Sequence, residues 1–183
     1  MLRIYSTINM VFLRHKKQEK GFSLIETLLY VGLFTMLSVM SMTSLFQTIK
    51  AFNDLRISRD INDSSVKVME RLTRDIKSAT AVDLVNSTFG SSPGRLTLST
   101  VSASGTLMTV EYYVTGSSLH LKENGVDKGS LMSSKTTVNA LVFYYINTGS
   151  TIGVKIDLHL SSSRGVVSDI DHFYDTIELR GTY

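Results

Sequence analysis

Lys16-Lys17-Gln18-Glu19-Lys20-Gly21-Phe22-Ser23-Leu24-Ile25-Glu26-Thr27-Leu28-Leu29-Tyr30-Val31-Gly32-Leu33-Phe34 is the stretch whose reading decides the fold. A basic run ends at a glycine. An apolar run follows and carries one carboxylate, Glu26, near its start. From Thr27 to Ile49 no residue is charged. At about 1.5 Å of rise per residue, that span makes a helix of about 35 Å, longer than the roughly 30 Å hydrocarbon core of a bilayer. A carboxylate in such surroundings costs about 2–4 kcal/mol even on the mildest scales, so Glu26 is expected to have a use there.

The charges around this run orient it. Arg14, Lys16, Lys17 and Lys20 precede it. The positive-inside rule then keeps the N-terminus in the cytoplasm and places residues after about 50 outside. An ordinary secretory signal peptide fits badly. Its small-residue cleavage site follows the apolar core, whereas Gly21 precedes it. Residues 1–21 hold five Lys/Arg and one Glu; the remainder holds fourteen Lys/Arg against fifteen Asp/Glu. The basic balance is thus a property of the N-terminal tail, and no nucleic-acid partner is expected for the rest. The chain has no cysteine, which excludes disulfides, thiol nucleophiles and thiolate metal sites.

The run KGFSLIETLLYVGLF (20–34) resembles the N-terminal methylation motif of type IV pilins and type II secretion pseudopilins: Gly, then Phe, then apolar residues, with Glu five positions past the Gly. The resemblance implies cleavage between Gly21 and Phe22 by a prepilin peptidase and N-methylation of the new Phe22 amine. It implies that Glu26 pairs with the Phe22 amine of a neighbouring subunit. Opposite charges attract strongly where the effective dielectric is low, and each relieves the other's burial cost. Other partners so implied are further pilins or pseudopilins, an inner-membrane assembly platform and membrane lipid. The implied location is the bacterial inner membrane, crossed once, with possible entry into a filament. The leader, 1–21, is long for the family; a start at Met10 would shorten it.

Beyond the apolar run the helical period continues. No Gly or Pro occurs from Leu33 to Thr88. Ile57, Ile61, Val68, Leu72, Ile76 and Ala79, with Ser65, recur at three-, four- or seven-residue steps and predict a core-facing stripe. Glu70–Arg74 and Arg71–Asp75 have i,i+4 spacing and are expected to pair on the outer face. The organisation expected is leader 1–21, membrane and assembly helix 22–49, amphipathic continuation 50–80 and a β-rich extracytoplasmic part 81–183.

After Ala79 the period falls to two. Strands are expected at 95–101, 106–114, 118–123, 126–132, 139–146, 152–160 and 173–181, with Asn124-Gly125 as a two-residue hairpin turn. Ser/Gly-rich stretches at 87–94, 115–118 and 161–165 read as loops. The fold class is therefore α+β: a long N-terminal helix packed on one antiparallel sheet of six or seven strands, a pilin-like plan. The order LVFYY…VKIDLHL…IELR is similar to J-type minor pseudopilins and related minor pilins.

No catalytic motif is present and no cofactor is expected. His120 and His159 fall in strands and read as exposed or hydrogen-bonded. Asp169, Asp171 and Asp175 are the only metal candidates, since some pseudopilins hold calcium in a C-terminal loop. Carboxylate oxygens suit that ion, but the spacing lacks the EF-hand pattern, and a solvated acidic loop is preferred. The function expected is a non-enzymatic structural subunit, a minor pilin or pseudopilin that primes or caps a filament. The alternative is a tip minor pilin that binds a surface, DNA or an exported protein.

Overall fold

The computed structural model describes residues 21–102 and 105–180. Apart from Gly21, the expected leader lies outside them. The chain divides into two compact units between Leu45 and Phe46.

Helix α1 (Leu24–Ser78) has 55 residues. In its apolar part, hydroxyls return to the helix's own carbonyls: Thr35 to Gly32, Ser38 to Phe34, Ser41 to Leu37 and Thr43 to Met40, at 2.8–2.9 Å. A hydroxyl bonded this way needs no water, so the polar residues of the run do not break its apolar character.

From Phe46 onward the predicted stripe forms the core. Ile57, Ile61, Val68, Leu72, Ile76 and Ala79 are fully buried, and Ser65 is nearly so. Ser64 is buried as well, and its hydroxyl donates to Thr136 Oγ1 at 3.0 Å. Two antiparallel sheets pack on this face. The first orders β1 (Ala81–Val82), β2 (Leu96–Val101), β3 (Leu107–Thr115), β4 (Ser118–Glu123) and β5 (Val126–Ser130) in sequence. The second orders β6 (Thr136–Asn147), β7 (Ile152–Arg164) and β8 (Val167–Glu178). The first sheet gives Leu96, Leu98, Tyr112 and Leu119 to the core; the second gives Leu141, Phe143, Ile156, Leu158 and Leu160.

The α+β plan stands, but the single sheet expected from sequence is two. The ladder breaks after β5, where the chain turns inward and buries Met132. The 161–165 stretch is not a loop. Ser161–Arg164 extend β7, and Gly165-Val166 form a two-residue hairpin with Gly165 at φ 62°. Glycine at the first position of such a turn suits its positive φ. The serines are strand residues: Ser161 Oγ meets Thr137 Oγ1 at 2.7 Å, and Ser162 is buried and donates to the Lys135 carbonyl. The Asn124-Gly125 turn is as predicted, both residues having positive φ.

The far edge of β6 is closed by the 88–94 segment. Gly90 and Gly94 amides donate to the Phe143 and Leu141 carbonyls at 2.9 and 2.7 Å. A Cβ at Gly94 would lie 2.9 Å from the Leu141 oxygen and 3.1 Å from Phe143 Cδ2. The contact with backbone oxygen cannot be relieved by a rotamer change. Gly94→Ala is therefore expected to destabilise the unit by about 1–3 kcal/mol, read as an earlier thermal transition by circular dichroism; an unchanged midpoint would show that the segment lifts freely.

Candidate functional site

The site expected from sequence is the start of α1. Gly21, Phe22 and Ser23 precede the helix, and all three are exposed. The Ser23 carbonyl accepts the Thr27 amide at 3.1 Å, which makes Ser23 the N-cap residue and Glu26 the third helical residue. Ser-x-x-Glu is capping-box spacing, a purely local reason for a glutamate here. The carboxylate is used differently. Glu26 Oε1 accepts from the Tyr30 hydroxyl at 3.3 Å, one turn on. Tyr30 in turn meets Phe22 edge-on, with ring centroids 6.3 Å apart. Glu26 is half-buried, while its neighbours along the chain are exposed.

Sequence reasoning missed Tyr30. The signal was its spacing: four residues from Glu26, a neighbour on the helix surface. The aromatic contact ties Phe22 to the same place. The arrangement sets an acid in the first turn, where the helix dipole favours negative charge by about 0.3–1 kcal/mol. It leaves the backbone before it open. A Cβ at Gly21 would meet nothing within 4 Å, so no packing among the described residues requires glycine there.

The large apolar side chains from Phe22 to Ile49 are 49–82% exposed. A soluble surface does not sustain an apolar patch of that extent. By length and composition, α1 is able to cross a membrane, and it fits a single-pass anchor.

The acidic candidates behave as strand residues. Asp169, Asp171 and Asp175 lie in β8, not in a loop. Asp169 Oδ1 accepts the Ile170 amide at 2.9 Å, and Asp175 Oδ1 accepts the Thr176 amide at 2.8 Å. Among the described residues no group of three or more His, Asp or Glu is arranged to hold a metal ion. His120 bonds Asp127, and His159 bonds Asp157 at 3.1 Å while stacking on His172.

The Arg71–Asp75 pair forms at 2.8 Å but does not face outward as expected. Asp75 also accepts the Tyr112 hydroxyl at 2.6 Å, and Arg71 reaches Glu123 at 2.9 Å. Arg74 approaches Asp75 at 3.5 Å instead of pairing with Glu70. Burial works against the Arg71 charge, but the bond and charge of Asp75 outweigh it and hold the guanidinium above its ordinary range. Burial first, then Asp75, pushes the Tyr112 hydroxyl above its ordinary value near 10. The folded chain thus holds the phenol proton more tightly than the unfolded chain does. Stability is whole below about pH 10 and falls as pH rises beyond it. Tyr112→Phe is expected to flatten that alkaline fall at a cost of about 1 kcal/mol near neutrality, seen in chemical unfolding at stepped pH; equal slopes for both chains would clear Tyr112 of the effect.

Comparison of the chain with protein-family models, with curated proteins and with solved structures returns no match.

Proposed function

We propose that the protein is a structural subunit of a type IV pilin-like filament, a minor pilin or pseudopilin. It is anchored once in the bacterial inner membrane, with its N-terminus cytoplasmic and residues from about 50 outside. A prepilin peptidase cuts between Gly21 and Phe22, and the new amine is methylated. Glu26 then neutralises the Phe22 amine of a neighbouring subunit as the apolar helices pack side by side.

The observation that carries this reading is the order of features at the start of α1. An exposed, non-helical Gly21-Phe22 bond stands two residues ahead of a helix whose first turn holds Glu26. A peptidase needs accessible, non-helical backbone at the bond it cuts, and this bond has it. Among the described residues nothing packs against Gly21, which leaves it open to another molecule. The back-bonded hydroxyls and the uncovered apolar surface suit the helix to lipid and to other helices.

Mass spectrometry of the chain from cells that contain the peptidase tests this. A mature N-terminus at N-methylated Phe22 is expected. A chain that keeps its lysine-rich head in such cells would overturn the proposal.

A further inference from the structure

We propose that the furrow between α1 and β8 binds an extended, basic segment of a partner protein as a further strand on β8. The inference concerns the unit that begins at Phe46 and does not depend on cleavage at Gly21.

The open edge is the first observation. In the three-stranded sheet β7 is central, β6 is closed by the 88–94 segment, and among the described residues no strand lies beyond β8. Its pairing with β7 is unbroken from Val167 to Glu178 and begins at the two-residue hairpin. In such a ladder alternate residues bond the neighbouring strand, and the others point away. The Ile170 and Thr176 amides bond Asp169 and Asp175 side chains, so the even-numbered amides are the ones that point away. The edge is thus closed at two places by its own carboxylates, a guard against indiscriminate pairing. His172 and Tyr174 lie between those caps, their amides pointing the same way.

The furrow is the second observation. Three cavities of about 510, 410 and 410 Å³ follow one another along the seam. The first joins Lys50 and Asp54 to Val166–Asp169, and the last joins Thr73 and Lys77 to Asp175–Arg180. The central one has Val66 and Met69 of α1 facing Phe173 and Tyr174. At 3.3 Å per residue, β8 offers an edge of roughly 36–40 Å, room for a strand of about nine residues or more.

Chemistry selects the occupant. Outward amides and carbonyls are answered by an extended chain and not by a helix, whose backbone groups are already bonded. β8 carries Asp169, Asp171, Asp175 and Glu178 and no Lys or Arg. Cross-strand neighbours share a face, so a segment lying on this edge is favoured when Lys or Arg oppose the acids and an apolar residue opposes Phe173. A second copy of β8 would set acids against acids and is disfavoured by the same rule.

The test uses the full chain in non-ionic micelles and a labelled, end-blocked peptide, Lys-Thr-Lys-Thr-Val-Thr-Lys-Thr-Lys. In either direction its alternate residues set Lys against Asp169, Asp171 and Asp175 and Val against Phe173, and the fourth Lys falls at the Ile177 end, next to Glu178. Saturable anisotropy is expected, with slowed amide exchange at His172 and Tyr174. Binding should weaken at least about tenfold when Glu replaces the four Lys, and again when the two threonines beside the valine are N-methylated. Tyr174→Pro removes an outward amide without touching the β7 ladder and should have a similar effect. If that variant unfolds, the N-methylated peptide on the parent chain decides. Equal binding of the Lys and Glu peptides, indifference to N-methylation, no saturation by roughly millimolar peptide, or β8-to-β8 crosslinking of two copies would each overturn the proposal.

Discussion

A Glu26→Leu chain is expected to be cut at Gly21-Phe22 like the parent and then to remain outside the filament. The substitution keeps the length and apolar character of α1 and removes the one charge able to meet a buried amine. Left alone, that amine stays desolvated on packing, a penalty of several kcal/mol. At about 1.4 kcal/mol per tenfold, incorporation should fall by a hundredfold or more. Glu26→Gln keeps a partner for the Tyr30 hydroxyl but not the charge, so it separates the two uses of the residue. Crosslinking in membranes, with the cut chain quantified alongside, is the measurement. Co-assembly of Glu26→Leu at the parent's level would refute the pairing. Assembly of Glu26→Gln but not of Glu26→Leu would reassign Glu26 to holding Tyr30.

Asp75→Ala is expected to lower the stability of the folded unit by about 2–4 kcal/mol, a large share of the roughly 5–15 kcal/mol typical of a whole domain. Asp75 is nearly buried and accepts the hydroxyl of Tyr112, whose ring is fully buried. Its removal strands that hydroxyl and half-unpairs Arg71. The loss stays below that of a fully buried pair because Arg71 keeps Glu123 and is about one-third exposed. Asp75→Asn retains an oxygen for Tyr112 and should lose about half as much. Thermal unfolding followed by circular dichroism measures both. An alanine variant within about 0.5 kcal/mol of the parent would show that water replaces the network.

Local signals in the sequence were sufficient where one element decides its own form. The stripe from Ile57 to Ala79 was legible because an apolar residue every three or four positions has only one sensible helix face. The β4–β5 hairpin was legible because Asn124-Gly125 tolerates positive φ. Non-local choices were hidden. Nothing in residues 131–135 announces that β5 and β6 part company; the break depends on where Met132 finds the core. The serines at 161–163 and the aspartates at 169–175 resemble loop composition, yet Ser162 is packed inside and the aspartates hold an edge. Arg71 and Asp75 have surface-pair spacing, and only the arrival of Tyr112 from β3 draws them inward. At the N-terminus Gly21, Phe22 and Glu26 stood out by type and spacing, while Tyr30 passed as one more apolar residue.

Two acids on α1 hold different sheets. Asp60 takes Arg164 of β7 at 2.7 Å, and its carbonyl takes Thr136 of β6; fifteen residues later Asp75 takes Tyr112 of β3. A chain drawn along its helix would carry traction into both sheets at once. The clamps would be loaded in shear, the mode in which several bonds must fail together. Tension would have no single ladder to unzip from one end.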